Sequence, residues 1–171
     1  MPKLRFMISK SFDGFVAGPT QSVDNPLGIG GERLHEWAFA LEAWRAEHGM
    51  EGGEVNQSTP VFAETHHPRE PLPMEGGTTF NFVTDGIKSA LDQAKRVAGK
   101  KDVLVAGGAN VAQQYLKAGL VDEMHINLVP TFLGSGEPLF DGVGDNLHGL
   151  ELVRTVAAPT VTHFKFAKRS A

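Results

Sequence analysis

The stretch Val103 to Gly136, VLVAGGANVAQQYLKAGLVDEMHINLVPTFLGSG, constrains the fold of this chain more than any other. An apolar run, Val103 to Ala106, stops at the pair Gly107-Gly108 and gives way to a helical pattern from Ala109 to Ala118. Gly119 follows as a helix stop, and a second apolar run, Met124 to Val129, ends at Pro130. Strand, glycine pair, helix and strand make a βαβ unit with its glycines where the helix begins. At that point the backbone N–H groups lack intrahelical partners and the helix dipole favours negative charge. Glycine carries no Cβ, so a diphosphate can approach the chain closely there. A nucleotide site is the first hypothesis, and an ordinary tight turn is an equal alternative for a lone Gly-Gly.

A chain of 171 residues suits one domain with one sizeable core. Its 41% hydrophobic and 21% charged residues are ordinary for a soluble globular protein. No stretch approaches the ~20 apolar residues needed to span a membrane. The opening MPKLRFMISKSFDG has no long apolar core and runs directly into a strand pattern, so no export is expected. The absence of cysteine excludes disulfides, thiolate metal sites and a cysteine nucleophile, and fits a cytoplasmic location. With a net charge of −4 and a pI near 6.0, nonspecific nucleic-acid binding is not expected.

Lys3 to Ser9 reads as an opening strand, with Leu4, Phe6 and Ile8 on one face at period two. The loop Ser11 to Pro19 is punctuated by Asp13-Gly14 and Gly18-Pro19. A helix is predicted from about Glu32 to His48, with Leu34, Trp37, Ala38, Leu41 and Trp44 at helical spacing and Gly49 as its stop. Trp37 and Trp44 are expected core anchors, and Met50 to Ser58 reads as loop. Pro60 to Ala63 is a short strand, followed by the polar segment Glu64 to Arg69. A strand over Thr79 to Val83 leads to Asp85, the expected cap of a helix with Ile87, Ala90, Leu91, Ala94 and Val97 on one stripe. The alternation of strands and helices from Thr79 to Val129 argues for a largely parallel sheet covered by helices. Glu151 to Val156 and Val161 to Lys168, separated by Ala157 to Thr160, read as a hairpin that closes the sheet with an antiparallel edge.

Three blocks in register, SKSFDGFVAG, VAGGANVAQQYLKAGLVDEMHINLVP and FLGSGEPLFDG, resemble the dihydrofolate-reductase-like superfamily. The branch most similar holds the reductase domain of bacterial riboflavin biosynthesis and its stand-alone relatives. The resemblance implies a small α/β protein with a mostly parallel central sheet, flanking helices and NADPH in a cleft at strand ends. It implies that Gly107 and Gly108 open the helix receiving the cofactor diphosphate, with Ala109, Asn110 and Val111 in the first turn. It places Thr65, His66 and Arg69 at the adenosine end, where guanidinium and phosphate pair in a fork geometry. A solvated loop with an incidental His pair is the alternative there, and a zinc site from His66-His67 is not expected for want of a third ligand. Asp13 and Ala17 lie in the loop that the resemblance brings near the nicotinamide and substrate, and Leu133-Gly134 would line the same cleft with Phe140 nearby. Asp13, the only carboxylate of that loop, is the candidate for substrate contact or proton supply; plain turn chemistry is the alternative. Glu123 is open to a surface reading.

In one respect the chain departs from the family. Relatives carry a further strand and helix, introduced by a Gly-Arg pair, where this chain runs from EGGEVNQ to STPVFAETHHPRE, and Gly-Arg occurs nowhere in it. Either the natural protein lacks this segment, or the chain as given is incomplete near residues 56–58. The leading reading is an NADPH-dependent reductase of a small heterocyclic substrate, with hydride supplied by the cofactor. The alternatives are a nucleotide-binding protein without chemistry, or a structural subunit that dimerises through an edge formed by Val161 to Phe166. A homodimer is implied by the resemblance. Gly134-Ser135-Gly136 is no nucleophile elbow, because its serine does not lead from a strand into a helix.

Overall fold

The computed structural model describes residues 2–40, 59–145 and 147–169. In chain order the strands are β1 (Leu4–Ser11), β2 (Phe15–Ala17), β3 (Val61–Glu64), β4 (Leu72–Pro73), β5 (Thr79–Val83), β6 (Val103–Val105), β7 (Glu123–Val129), β8 (Glu137–Pro138), β9 (Leu150–Ala158) and β10 (Val161–Lys168). The helices are α1 (Ile87–Ala98), between β5 and β6, and α2 (Ala109–Lys117), between β6 and β7. The described residues fall into two compact units, one of 2–3 and 59–103, the other of 4–40, 104–145 and 147–169.

The larger unit is built on a five-stranded sheet of order β6-β1-β7-β10-β9. β1 and β7 pair in parallel from Arg5–Glu123 to Ser11–Val129. β10 is antiparallel to both β7 and β9, so the C-terminal hairpin closes a mixed sheet. The period-two pattern of β1 buries Leu4 and Phe6, and β7 contributes Met124 and Ile126. Apolar side chains of this size each stabilise by about 1.5–3 kcal/mol on full burial. α2 adds Ala109, Ala112, Tyr115 and Leu116, spaced to form one stripe. The βαβ unit read from Val103 to Val129 is thus present, with β1 inserted between its two strands.

A satellite cluster of Leu34, Val129 and Val161 packs with Trp37 and Leu133. Trp37 donates to the Ser9 hydroxyl at 3.3 Å and the Leu34 carbonyl at 3.0 Å, and meets His163 edge-on. Its expected anchoring role is visible; Leu41, Trp44 and the predicted loop of residues 50–58 lie outside the described residues. The first turn of the predicted helix is 3-10, Gly31–Leu34, with α-helical geometry at 36–40.

In the smaller unit, β5 lies between β3, its parallel neighbour, and β4, its antiparallel one. α1 buries Ala90 and Leu91 of the predicted stripe, while Val97 is exposed. The expected cap Asp85 is displaced by one residue. Gly86 is the N-cap, without a side-chain hydrogen bond, and Asp85 meets the Thr84 hydroxyl instead.

Three further expectations are corrected or refined. β5 and β6 belong to different sheets, a division that hydrophobic periodicity does not reveal because it is blind to pairing. β10 is an interior strand, so the free edge belongs to β9 and not to Val161–Phe166. Glu123 is buried, with one carboxylate oxygen 3.2 Å from Arg5 Nη2 and 3.1 Å from Lys165 Nζ.

Candidate functional site

The parallel strands β1 and β7 end side by side, at Ser11 and Val129. In open α/β sheets, ligands bind beyond the carboxyl ends of such strands. Two loops leave this edge, one running through Asp13 to Ala17, the other through Phe132 to Glu137. They are tied together at several points. The Asp13 carboxylate accepts from the backbone N–H of Leu133 at 3.2 Å and of Gly134 at 2.7 Å. Phe12 N–H donates to the Thr131 carbonyl at 2.8 Å, and β2 pairs with β8 through Phe15–Pro138 and Ala17–Glu137. From the 3-10 turn, Arg33 donates to the Phe132 carbonyl at 3.2 Å and to the Thr131 hydroxyl.

This geometry defines what Asp13 does. Desolvation pushes its pKa up, but hydrogen bonds from the Ser11 hydroxyl and the N–H groups of Gly134, Leu133 and Asp13 itself outweigh that and hold it below the usual carboxylate range. It is an ionised acceptor at neutral pH, which suits a clamp between loops. Ala17 is buried beside Gly136, where a Cβ would collide with the Ala17 carbonyl oxygen. Leu133 turns its side chain toward the satellite cluster and offers its backbone to Asp13, whereas Gly134 is exposed with a positive φ of 75°.

The glycine pair follows β6. Gly107 has φ 118°, and a Cβ built there would meet nothing within 4 Å. Gly108 is the N-cap of α2 in extended conformation with no side-chain cap. The first intrahelical bond of this end is Ala112 N–H to the Gly108 carbonyl, which leaves the N–H groups of Ala109, Asn110 and Val111 without acceptors inside the helix. No acidic residue occupies the first turn. The backbone is therefore open at Gly107 and donor-rich along the first turn, a setting that favours an anionic group, with the Glu137 carboxylate beside Gly108 as an opposing charge.

Thr65, His66 and Arg69 share one exposed loop of the smaller unit, after β3. Thr65 N–H is held by the Val83 carbonyl at 3.0 Å, and its hydroxyl accepts from His67 N–H at 3.1 Å. Arg69 lies over the Phe82 ring, 5.4 Å from its centre. Among the described residues, no group of three His, Cys, Asp or Glu could hold a metal ion, and no helix is long and apolar enough to cross a membrane.

Sequence reasoning missed several neighbours of the site. Glu137, on β8, brings its carboxylate to 3.9 Å from the Cβ position of Gly108. Lys10, whose pKa is lowered by burial, sits 5.3 Å from the centre of the Phe140 ring. Arg33, Phe12 and Phe132 were likewise invisible, because their roles depend on contacts across some hundred residues of chain. Only the alternation of β1 gave a usable hint, since it aims Lys10 to the same side as Leu4, Phe6 and Ile8.

The chain matches the sequence pattern of the RibD C-terminal domain over residues 55–164. It is 35% identical over 74 residues to the uncharacterized protein YyaP of Bacillus subtilis, a match covering 43% of this chain and 38% of YyaP. The chain thus spans 38% and 33% of the two curated relatives it matches. The riboflavin biosynthesis reductase Rib7 of Saccharomyces cerevisiae superposes with a TM-score of 0.57 at 18% identity, over 99% of this chain and 89% of that one. The deaminase/reductase of Thermotoga maritima gives 0.61 at 12% identity, over 98% of this chain and 57% of that one. These superpositions establish a shared dihydrofolate-reductase-like fold.

Proposed function

This chain belongs to the RibD C-terminal domain family, and from that premise we propose that it is an NADPH-dependent reductase acting on a small heterocyclic, pterin- or pyrimidine-like substrate. The observation that carries the reading is the glycine pair Gly107-Gly108, open at Gly107, followed by N–H groups over the first turn of α2 that have no acceptor inside the helix. Bound NADPH supplies the hydride. Gly107, Gly108 and the N–H groups of Ala109, Asn110 and Val111 receive the diphosphate, and Arg69, with Thr65 and His66, favours a 2′-phosphate through fork pairing. Ala17, Leu133 and Gly134 form the backbone wall beside the reacting ring. Asp13 holds the two loops in register, and its depressed pKa supports positioning over proton supply. The protein's part is orientation and exclusion of water. We further read the protein as a cytoplasmic homodimer, which the exposed edge strand β9 supports.

A titration with NADPH, followed by nicotinamide fluorescence and compared with NADH, tests the cofactor assignment. Saturable binding, about tenfold or more tighter for NADPH, is expected from loss of one phosphate–guanidinium pair. Absence of binding rejects the reductase reading. A second reading, a nucleotide-binding protein without turnover, is favoured by the lack of any Gly-Arg pair. Binding of NADPH with no oxidation in the presence of dihydrofolate or a reducible pyrimidine would select it.

A further inference from the structure

Phe12 and Phe132 are large apolar side chains held in water at the mouth of the candidate site. They are 61% and 63% exposed, with ring centres 5.5 Å apart and planes inclined at 51°. Exposed hydrophobic residues scattered singly need no explanation. These two differ in being paired and in standing on backbone that is held by hydrogen bonds. Phe12 is held by its own N–H to the Thr131 carbonyl, and Phe132 by the Arg33 guanidinium on its carbonyl. The Asp13 carboxylate, next to Phe12, fastens the two residues that follow Phe132, Leu133 and Gly134. Phe12 follows the last residue of β1 and Phe132 lies three residues beyond β7, so both stand at the carboxyl ends of the parallel pair.

Two neighbouring rings inclined at 51°, with most of their surface open, can offer a flat ring the face of one and the edge of the other. We propose that Phe12 and Phe132 form a stacking face for the planar, unsaturated ring of the substrate. The inference rests on the reductase reading and adds a substrate-binding element distinct from the cofactor backbone. Selection would be for a π-face, with hydrogen-bond specificity left to other groups of the site.

The test titrates two flat probes, pterin and uracil, into the purified chain by saturation-transfer NMR. Wild type is compared with Phe12→Leu, Phe132→Leu, the double variant and Phe132→Tyr, with NADPH binding measured in parallel. Leucine keeps apolar bulk and removes the π-face. At least one probe should saturate the wild type, and its Kd should rise about tenfold in the double variant, consistent with the stacking contribution. Phe132→Tyr should bind like wild type, and NADPH affinity should be unchanged throughout. If neither probe binds, or if the leucine variants bind as tightly as wild type, the stacking face is refuted. Failure of NADPH alone to bind would reject the reductase reading, while the ring titration still gives its own answer.

Discussion

Asp13 illustrates how a residue's chemistry follows from its donors. Asp before Gly is a common turn pair, yet its carboxylate reaches across to Leu133 and Gly134, 120 residues away and more in sequence. Replacement by alanine leaves those N–H groups to water and should destabilise the protein by about 1 kcal/mol, read from urea unfolding at pH 7. The pH dependence gives a second check. The folded pKa is depressed, so the contribution is present above the unfolded carboxylate value and is lost as pH falls through the folded one. The gap between wild type and Asp13→Ala should therefore close in acid. Glu123 shows the limit of residue-level reading. Its place next to Asp122 at a strand start suggests surface, but the β1 and β10 neighbours enclose it between Arg5 and Lys165.

Among the elements, the short pair β2–β8 and the turn before the 3-10 helix depend on backbones approaching too closely for a side chain. A Cβ at Gly18 would collide with the carbonyl of Ile29, and one at Gly136 with the carbonyl of Ala17. Both obstacles are backbone atoms, which cannot swing aside. Gly18→Ala should force the loop apart and lower stability by about 2 kcal/mol or more, measurable as a fall in Tm. It should also disturb ligand binding, since this loop carries Asp13 and Ala17. Gly30, just before the 3-10 turn, is left-handed with φ 76° and ψ 2°, and a Cβ there would meet only the Leu133 side chain at 3.9 Å. Gly30→Ala should cost about 1 kcal/mol, so a smaller shift at this site than at Gly18 checks the steric argument.

For the molecule as a whole, the pH profile of stability should be set near neutrality by histidines. Burial lowers the pKa of His35. Burial also lowers that of His125, aided by Lys165 and Arg5 and opposed by Glu123. Both lie below the ordinary value of 6.5, so the unfolded chain takes up protons first as pH falls. Their contribution is complete above about 6.5 and is lost as pH drops through the folded values. Urea midpoints should decline between pH 7.5 and 5.5, and the decline should flatten in a His35→Gln/His125→Gln variant. A midpoint that rises over this interval would contradict the burial of these rings.

The sequence by itself determined the βαβ unit, the strands β1, β5 and β10, the helix α1 and the glycine opening of α2. It did so because these features rest on periodicity and on glycine stops, which are local. It also carried enough of three ordered blocks to identify the family. The pairing of strands into separate sheets, the interior position of β10 and the burial of Glu123 were decided only in three dimensions. So were the clamp made by Asp13 and the exposed pair Phe12 and Phe132. These contacts join segments up to 121 residues apart in the chain. Local pattern specifies which face of an element is apolar, and only the packed sheet specifies which distant groups that face will meet.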